Sequence, residues 1–205
     1  MKGRVLIACV GNIFLGDDGF GVEVARRLTG MEFPDGVKLG DYGTGGMHLA
    51  YDMADGYETT ILVDAAPRGQ QPGTVSVIEV DPADHPNPAA ALGALQGSML
   101  FDGHGMQPDV VFGILGMLGG KAGRILVVGC EPASTGYGMA LSEPVAAAVD
   151  EAVEIVLDLV AAQTGPAGTG PAGTVPAGTV PAGTGPAGTG RAGTGPARGQ
   201  ATDKG

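Results

Sequence analysis

Cysteine is scarce in this chain, bases are outnumbered and long apolar runs are missing, and each shortage removes a class of protein. Only Cys9 and Cys130 occur in 205 residues, each inside or just after an apolar run (VLIACVG, ILVVGC). That setting suits reduced, partly buried thiols in a reducing compartment rather than a disulfide framework. Lys and Arg number 11 against 22 Asp and Glu, a net charge of −11, so the surface field repels nucleic acid and anionic lipid. No stretch of ~18 uninterrupted apolar residues is present to span a bilayer. The opening MKGRVLIACVGN has a basic start and a short apolar stretch, but it runs into Gly11, Asn12 and two aspartates without a small-residue cleavage site. It reads as a first core strand, not a signal peptide. The expectation is a cytoplasmic protein with neither nucleic acid nor membrane as partner.

Composition changes abruptly after Gln163. From Thr164 to about Arg198 the chain repeats every five residues, TGPAG, TGPAG, TVPAG, TVPAG, TGPAG, TGRAG, TGPAR. Glycine and proline at this density, with almost nothing large to bury, cannot offset the entropy of ordering. The organisation expected is therefore one globular domain, 1–162, followed by a flexible Gly/Pro/Ala/Thr pentapeptide-repeat tail, 163–205. A domain of that size hides roughly 70% of its unfolded surface, enough for a core without disulfides or a structural metal.

Within the domain, short apolar runs alternate with stretches of helical spacing. Strands are predicted at residues 4–10, 37–41, 59–65, 75–80 and 124–130, and helices over 18–28, 46–54, 108–118 and 142–161. In the last helix Ser142 can cap, and Val145, Val149, Val153, Val156 and Val160 form one apolar stripe. Such alternation implies an α/β fold, a three-layer αβα sandwich. VSVIEV follows ILVDAAPRGQQPGT with no room for a crossover helix, so its strand should lie antiparallel to its neighbour. The sheet expected is five-stranded, mixed and mostly parallel.

Open α/β sheets bind ligands at the carboxyl ends of their strands. Here the first strand leads to Asp17 and Asp18, the second ends at Asp41 and the third at Asp64. Any one aspartate there can be explained by capping or a turn; three converging on one edge are harder to dismiss. The first loop, GNIFLGDDGFG, lacks both the G-x-G-x-x-G and the G-x-x-x-x-G-K-[ST] patterns, and its paired aspartates sit where a pyrophosphate would dock. Ionised carboxylates at a helix start suit a cation instead. Of the three histidines, His85 falls in a proline-rich loop and His48 in a helical stretch. His104 is flanked by Gly103 and Gly105, so backbone can fold closely around an exposed imidazole. One imidazole with two carboxylates is a ligand set for nickel, zinc or iron that leaves coordination positions open.

At GNIFLGDDGFGVEVARRL the sequence resembles the hydrogenase maturation endopeptidases, which open with a strand, a G-N-x-L/F-x-x-D-[DE]-G-x-G turn and a helix. The resemblance continues through DYGTGGMHL (41–49), ILVDAAPRG (61–69), GHG (103–105) and LVVGCEP to LSEPV (126–145), spanning about residues 4–160. It implies an endopeptidase that removes the C-terminal extension of a nickel-iron hydrogenase large-subunit precursor after nickel insertion. By the same resemblance Asp18, Asp64 and His104 bind the metal, nickel carried by the precursor, and no organic cofactor takes part. The first of these is Glu in some members and the shorter Asp here. Asp41 matches another family aspartate considered functional. No G-x-S-x-G, H-E-x-x-H or Cys-His arrangement supports familiar nucleophile or zinc-protease chemistry. The reading is a metal-polarised carbonyl attacked by water, with Asp41 or Asp17 as base. Alternatives are a peptidase of the same fold with another protein substrate, a non-catalytic nickel-dependent binding or chaperone module, and a nucleotide-binding domain, which the paired aspartates disfavour.

Overall fold

The computed structural model describes residues 3–81 and 108–165. Five strands, β1 (Val5–Val10), β2 (Val37–Gly43), β3 (Thr59–Ala65), β4 (Val75–Val80) and β5 (Arg124–Cys130), form one sheet in the order β2-β1-β3-β5-β4. All neighbours run parallel except β4 and β5, which are antiparallel. The described helices are α1 (Phe20–Leu28), α2 (Gly46–Ala54), α3 (Pro108–Met117), α4 (Glu143–Ala147) and α5 (Val149–Thr164), with a 3-10 turn at Gly16–Gly19. None is long and apolar enough to cross a membrane.

Strand β1 shows why the layers are three. All six of its residues are buried, and its side chains alternate between two cores. Val5, Ile7 and Cys9 join Phe20, Val24 and Leu28 of α1 and the valine stripe of α4 and α5. Leu6, Ala8 and Val10 join Leu49, Ala50 and Met53 of α2 and Val111, Ile114 and Leu115 of α3. In α1 the buried Phe20, Val24 and Leu28 recur every four residues, while Glu23 on the outer face pairs with Arg26 at 3.1 Å and Arg27 at 3.8 Å. Each valine of the stripe contributes on the order of 1.5 kcal/mol over an exposed one.

Two expectations need correction. Strand β4 is antiparallel as predicted, but its neighbour is β5, which inserts between β3 and β4. The β3–β4 connection instead passes over the end of β5, where Ala66 N donates to Cys130 O at 2.8 Å and Gly73 N to Glu131 O at 2.9 Å. The single helix predicted over 142–161 is two, breaking at Ala148, with Pro144 in the first turn of α4. Ser142 occupies the N-cap without a side-chain capping bond, because its hydroxyl donates to Asp17, 125 residues earlier in the chain. Helix α5 runs through Thr164, just past the domain boundary read from composition.

Candidate active site at the carboxyl edge of the sheet

Chain order reverses at β1: β2 lies on one side of it and β3 on the other, which makes the carboxyl ends of β1 and β3 the switch point where open sheets bind ligands. The first loop is drawn tightly over that point. A Cβ on Gly21 would lie 2.1 Å from Val10 O and 2.4 Å from Val63 O, so only glycine lets α1 start this close to both strands. Gly11, at φ 140°, would push a Cβ to within 2.0 Å of Asp18 O, closing the other end of the loop.

Asp18 and Asp64 are brought together there. The Asn12 amide donates to Asp18 Oδ2 at 2.9 Å and to Asp18 O at 3.1 Å, fixing the turn around its own carboxylate. Asp64 is the last residue but one of β3, and the following Ala65 amide donates to its Oδ1 at 2.8 Å. Burial and the neighbouring Asp18 charge push the Asp64 carboxyl up to about 8. Burial also raises Asp18, opposed by the Asn12 amide. Two partly desolvated carboxylates, close enough for the charge of one to act on the other, cannot both ionise cheaply, and a divalent cation between them would remove the conflict.

The other predicted site residues fare differently. Asp41 sits at the same edge one strand away. A register irregularity opposite Cys9 and Val10 leaves Tyr42 as an extra residue beside it, and Asp41 is exposed, its Oδ1 accepting from Gly43 N at 3.1 Å. Asp17 is 1% exposed and its carboxylate is fully engaged. Oδ2 accepts from Ala133 N at 2.8 Å, Ser134 N at 2.9 Å and Ser142 Oγ at 3.0 Å, and Oδ1 from Ser142 N at 2.6 Å. Burial favours its neutral form, but those donors outweigh it and hold the group below the ordinary carboxylate value. A carboxylate so occupied is a poor proton acceptor, which corrects the expectation of Asp17 as a base. His104 and His85 lie outside the described residues, and His48 is exposed on α2. Among the described residues no group of three or more His, Cys, Asp or Glu side chains could hold a metal ion, so Asp18 and Asp64 stand as a pair.

The profile of the hydrogenase maturation protease family matches residues 22–159. The chain belongs to that family. Members of the family are peptidases, and the likeness extends to individual proteins over the same region. The chain is 36% identical over 160 residues to the Methanocaldococcus jannaschii protein MJ0253, covering 76% of this chain and 96% of that one. It is 32% identical to the crystal structure of hydrogenase 2 maturation peptidase from Thaumarchaeota archaeon SCGC_AB-539-E09, with a TM-score of 0.56 over 77% of this chain and 97% of that one. The hydrogenase maturating endopeptidase HybD from E. coli superposes with a TM-score of 0.61 at 29% identity, covering 77% of this chain and 91% of that one.

In this maturation protease neither cysteine is a candidate nucleophile. Burial, with the Asp41 charge, pushes the Cys9 thiol up to about 12, and burial, with the Asp17 and Glu131 charges, pushes Cys130 up to about 11. One residue beside the site was missed from sequence. Glu131, 7% exposed, accepts from Arg68 N at 2.6 Å through Oε2 and from Gly69 N at 3.1 Å through Oε1. Burial pushes this carboxyl up, and the Arg68, Gln70 and Gly69 amides outweigh it, holding it below its ordinary value. The signal was available: Glu131 immediately follows β5, the same strand-end placement that singled out Asp41 and Asp64.

Proposed function

We propose that this protease removes the C-terminal extension of a nickel-loaded hydrogenase large-subunit precursor, and that Asp18 and Asp64 read the nickel. The observation that carries the reading is the pair itself: two half-buried acids at the switch point of the sheet, both disfavoured as anions by burial and Asp64 further by the Asp18 charge. Nickel belongs to the substrate, held by the precursor, and an incomplete protein ligand set engages it without extracting it. His104 is the third ligand of this proposal, from outside the described residues. A precursor without nickel lacks the cation that relieves the Asp18–Asp64 repulsion and is rejected on that ground.

Once the precursor is anchored, the scissile bond is held near the exposed Asp41, and proximity does much of the work. Asp41 takes a proton from water as the water oxygen adds to the carbonyl carbon; the C–N bond then breaks and the leaving amine takes the proton. Nickel near the carbonyl oxygen supplies electrophilic assistance. The buried free thiols, Cys9 and Cys130, support work in the reducing cytoplasm. The division into a 1–162 domain and a 163–205 repeat segment belongs to the proposal as well, with no part in catalysis assigned to the repeats.

Mass spectrometry of a nickel-loaded precursor incubated with the protein tests this. The expected result is loss of one C-terminal peptide, with the nickel-free precursor uncut. Binding without mass loss would support a non-catalytic nickel-dependent module, and cleavage indifferent to nickel would point to a peptidase of another substrate class.

A further inference from the structure

The loop between β5 and α4 touches both segments that carry the aspartate pair, and it does so through buried acids. At one end Glu131 takes the Arg68 and Gly69 amides, just beyond Asp64, while its own N donates to Thr74 O at 2.9 Å. At the other end Asp17 takes the Ala133, Ser134 and Ser142 amides and the Ser142 hydroxyl. Backbone contacts reinforce the second attachment: Asp17 N donates to Ser134 O at 3.0 Å, Gly16 N to Gly138 O at 2.8 Å and Gly138 N to Phe14 O at 3.0 Å. The turn bearing Asp18 and the strand end bearing Asp64 are thus both fastened to residues 131–142, as well as packing on each other.

This arrangement exceeds what folding alone asks. A buried carboxylate is costly unless it is hydrogen-bonded throughout, and an apolar residue in either place could close a core as well. What an acid adds is direction: four donors converging on Asp17 fix the turn at several points of the loop at once. Asp17 is also covalently adjacent to Asp18, and because its own N donates to Ser134 O while its carboxylate is held by four donors, the backbone leading into Asp18 is fixed at that point.

We infer that Asp17 and Glu131 are positioning residues, which hold Asp18 and Asp64 at the separation that nickel recognition requires by clamping both to the 131–142 loop. The inference rests on the proposed role of the aspartate pair. Neither residue touches substrate; each acts through its neighbour. A ligand displaced by about 1 Å can cost on the order of 100-fold in rate.

The experiment compares the full-length protein with the Asp17→Asn, Glu131→Gln and Ser142→Ala variants. Single-turnover cleavage of nickel-loaded precursor is measured at saturation, at a temperature well below each variant's melting point, alongside the precursor concentration for half-maximal rate. Positioning predicts that the saturated rate per folded molecule falls about 100-fold in Asp17→Asn, by less in Glu131→Gln and least in Ser142→Ala, and that the half-saturating concentration rises in the same order as the nickel is held less well. A residue that only stabilises the fold leaves the saturated rate unchanged and moves only the melting point, and that result in all three variants would overturn the inference. Should Asp17→Asn fail to fold, Ser142→Ala and Glu131→Gln decide on the same criterion. Failure of the wild-type protein to cleave is a separate result and would overturn the proposed function instead.

Discussion

Asp17 and Asp18 are adjacent, chemically identical and placed by the same turn, yet the fold treats them in opposite ways. Asp17 is buried among four donors and kept ionised. Asp18 has one amide and a second carboxylate opposite it, and its charge is disfavoured. The difference separates construction from function: a satisfied acid holds structure together, whereas an acid left short of partners has binding capacity to spare.

The largest effect expected from breaking this contrast is on activity. Asp18→Asn and Asp64→Asn should each lower cleavage of nickel-loaded precursor by roughly 10²–10³-fold, the size of losing a charge-stabilising group, and neither should lower the melting temperature, because the repulsion has been removed. Asp17→Ala should do the reverse to stability. Leaving the Ser142 hydroxyl and three part-buried amides without that acceptor costs about 3 kcal/mol, read as a fall in the denaturant midpoint. Gly21→Ala, whose Cβ must displace Val10 O or Val63 O, should destabilise by about 2 kcal/mol and move the whole turn.

A smaller effect concerns pH and has opposite signs for the two groups. Unfolded, Asp64 titrates near 4; folded, it keeps its proton to about 8. Across that window the folded state binds more protons, so stability falls as pH rises. Thermal melts should show the decline in the wild type and flatten in Asp64→Asn. Asp17, depressed when folded, contributes stability above the ordinary carboxylate range that is lost as pH drops below it, so Asp17→Ala should blunt the acid limb only. Ser142→Ala removes one donor of four from the Asp17 carboxylate and should cost about 1 kcal/mol, the least of the set.

Much of the scaffold was legible because strands buried on both faces are written as unbroken apolar runs. VLIACV and RILVVGC could hardly be anything else. The valine stripe likewise announced its helix face, since all five valines are buried. What local pattern could not carry was pairing across long separations. The insertion of β5 beside β3 depends on residues some sixty positions later, and the missing side-chain cap of α4 reflects Ser142 being drawn to Asp17. The same limit applies to the site. Strand-end position marked Asp17, Asp18, Asp41 and Asp64 alike, and it took the family resemblance to tell Asp17 from Asp18; the loop at 133–142 makes that distinction in space. Glu131 was passed over although it met the strand-end criterion, because its role is set by the amides that fold back onto it.

The central claim is that Asp18 and Asp64 together contact the nickel held by the precursor. Anomalous diffraction at the nickel edge, from crystals of the protein bound to nickel-loaded precursor, addresses it directly. One nickel peak within bonding distance of both carboxylates is the result predicted. A nickel site coordinated by the precursor alone, with both aspartates turned away from it, would contradict the account.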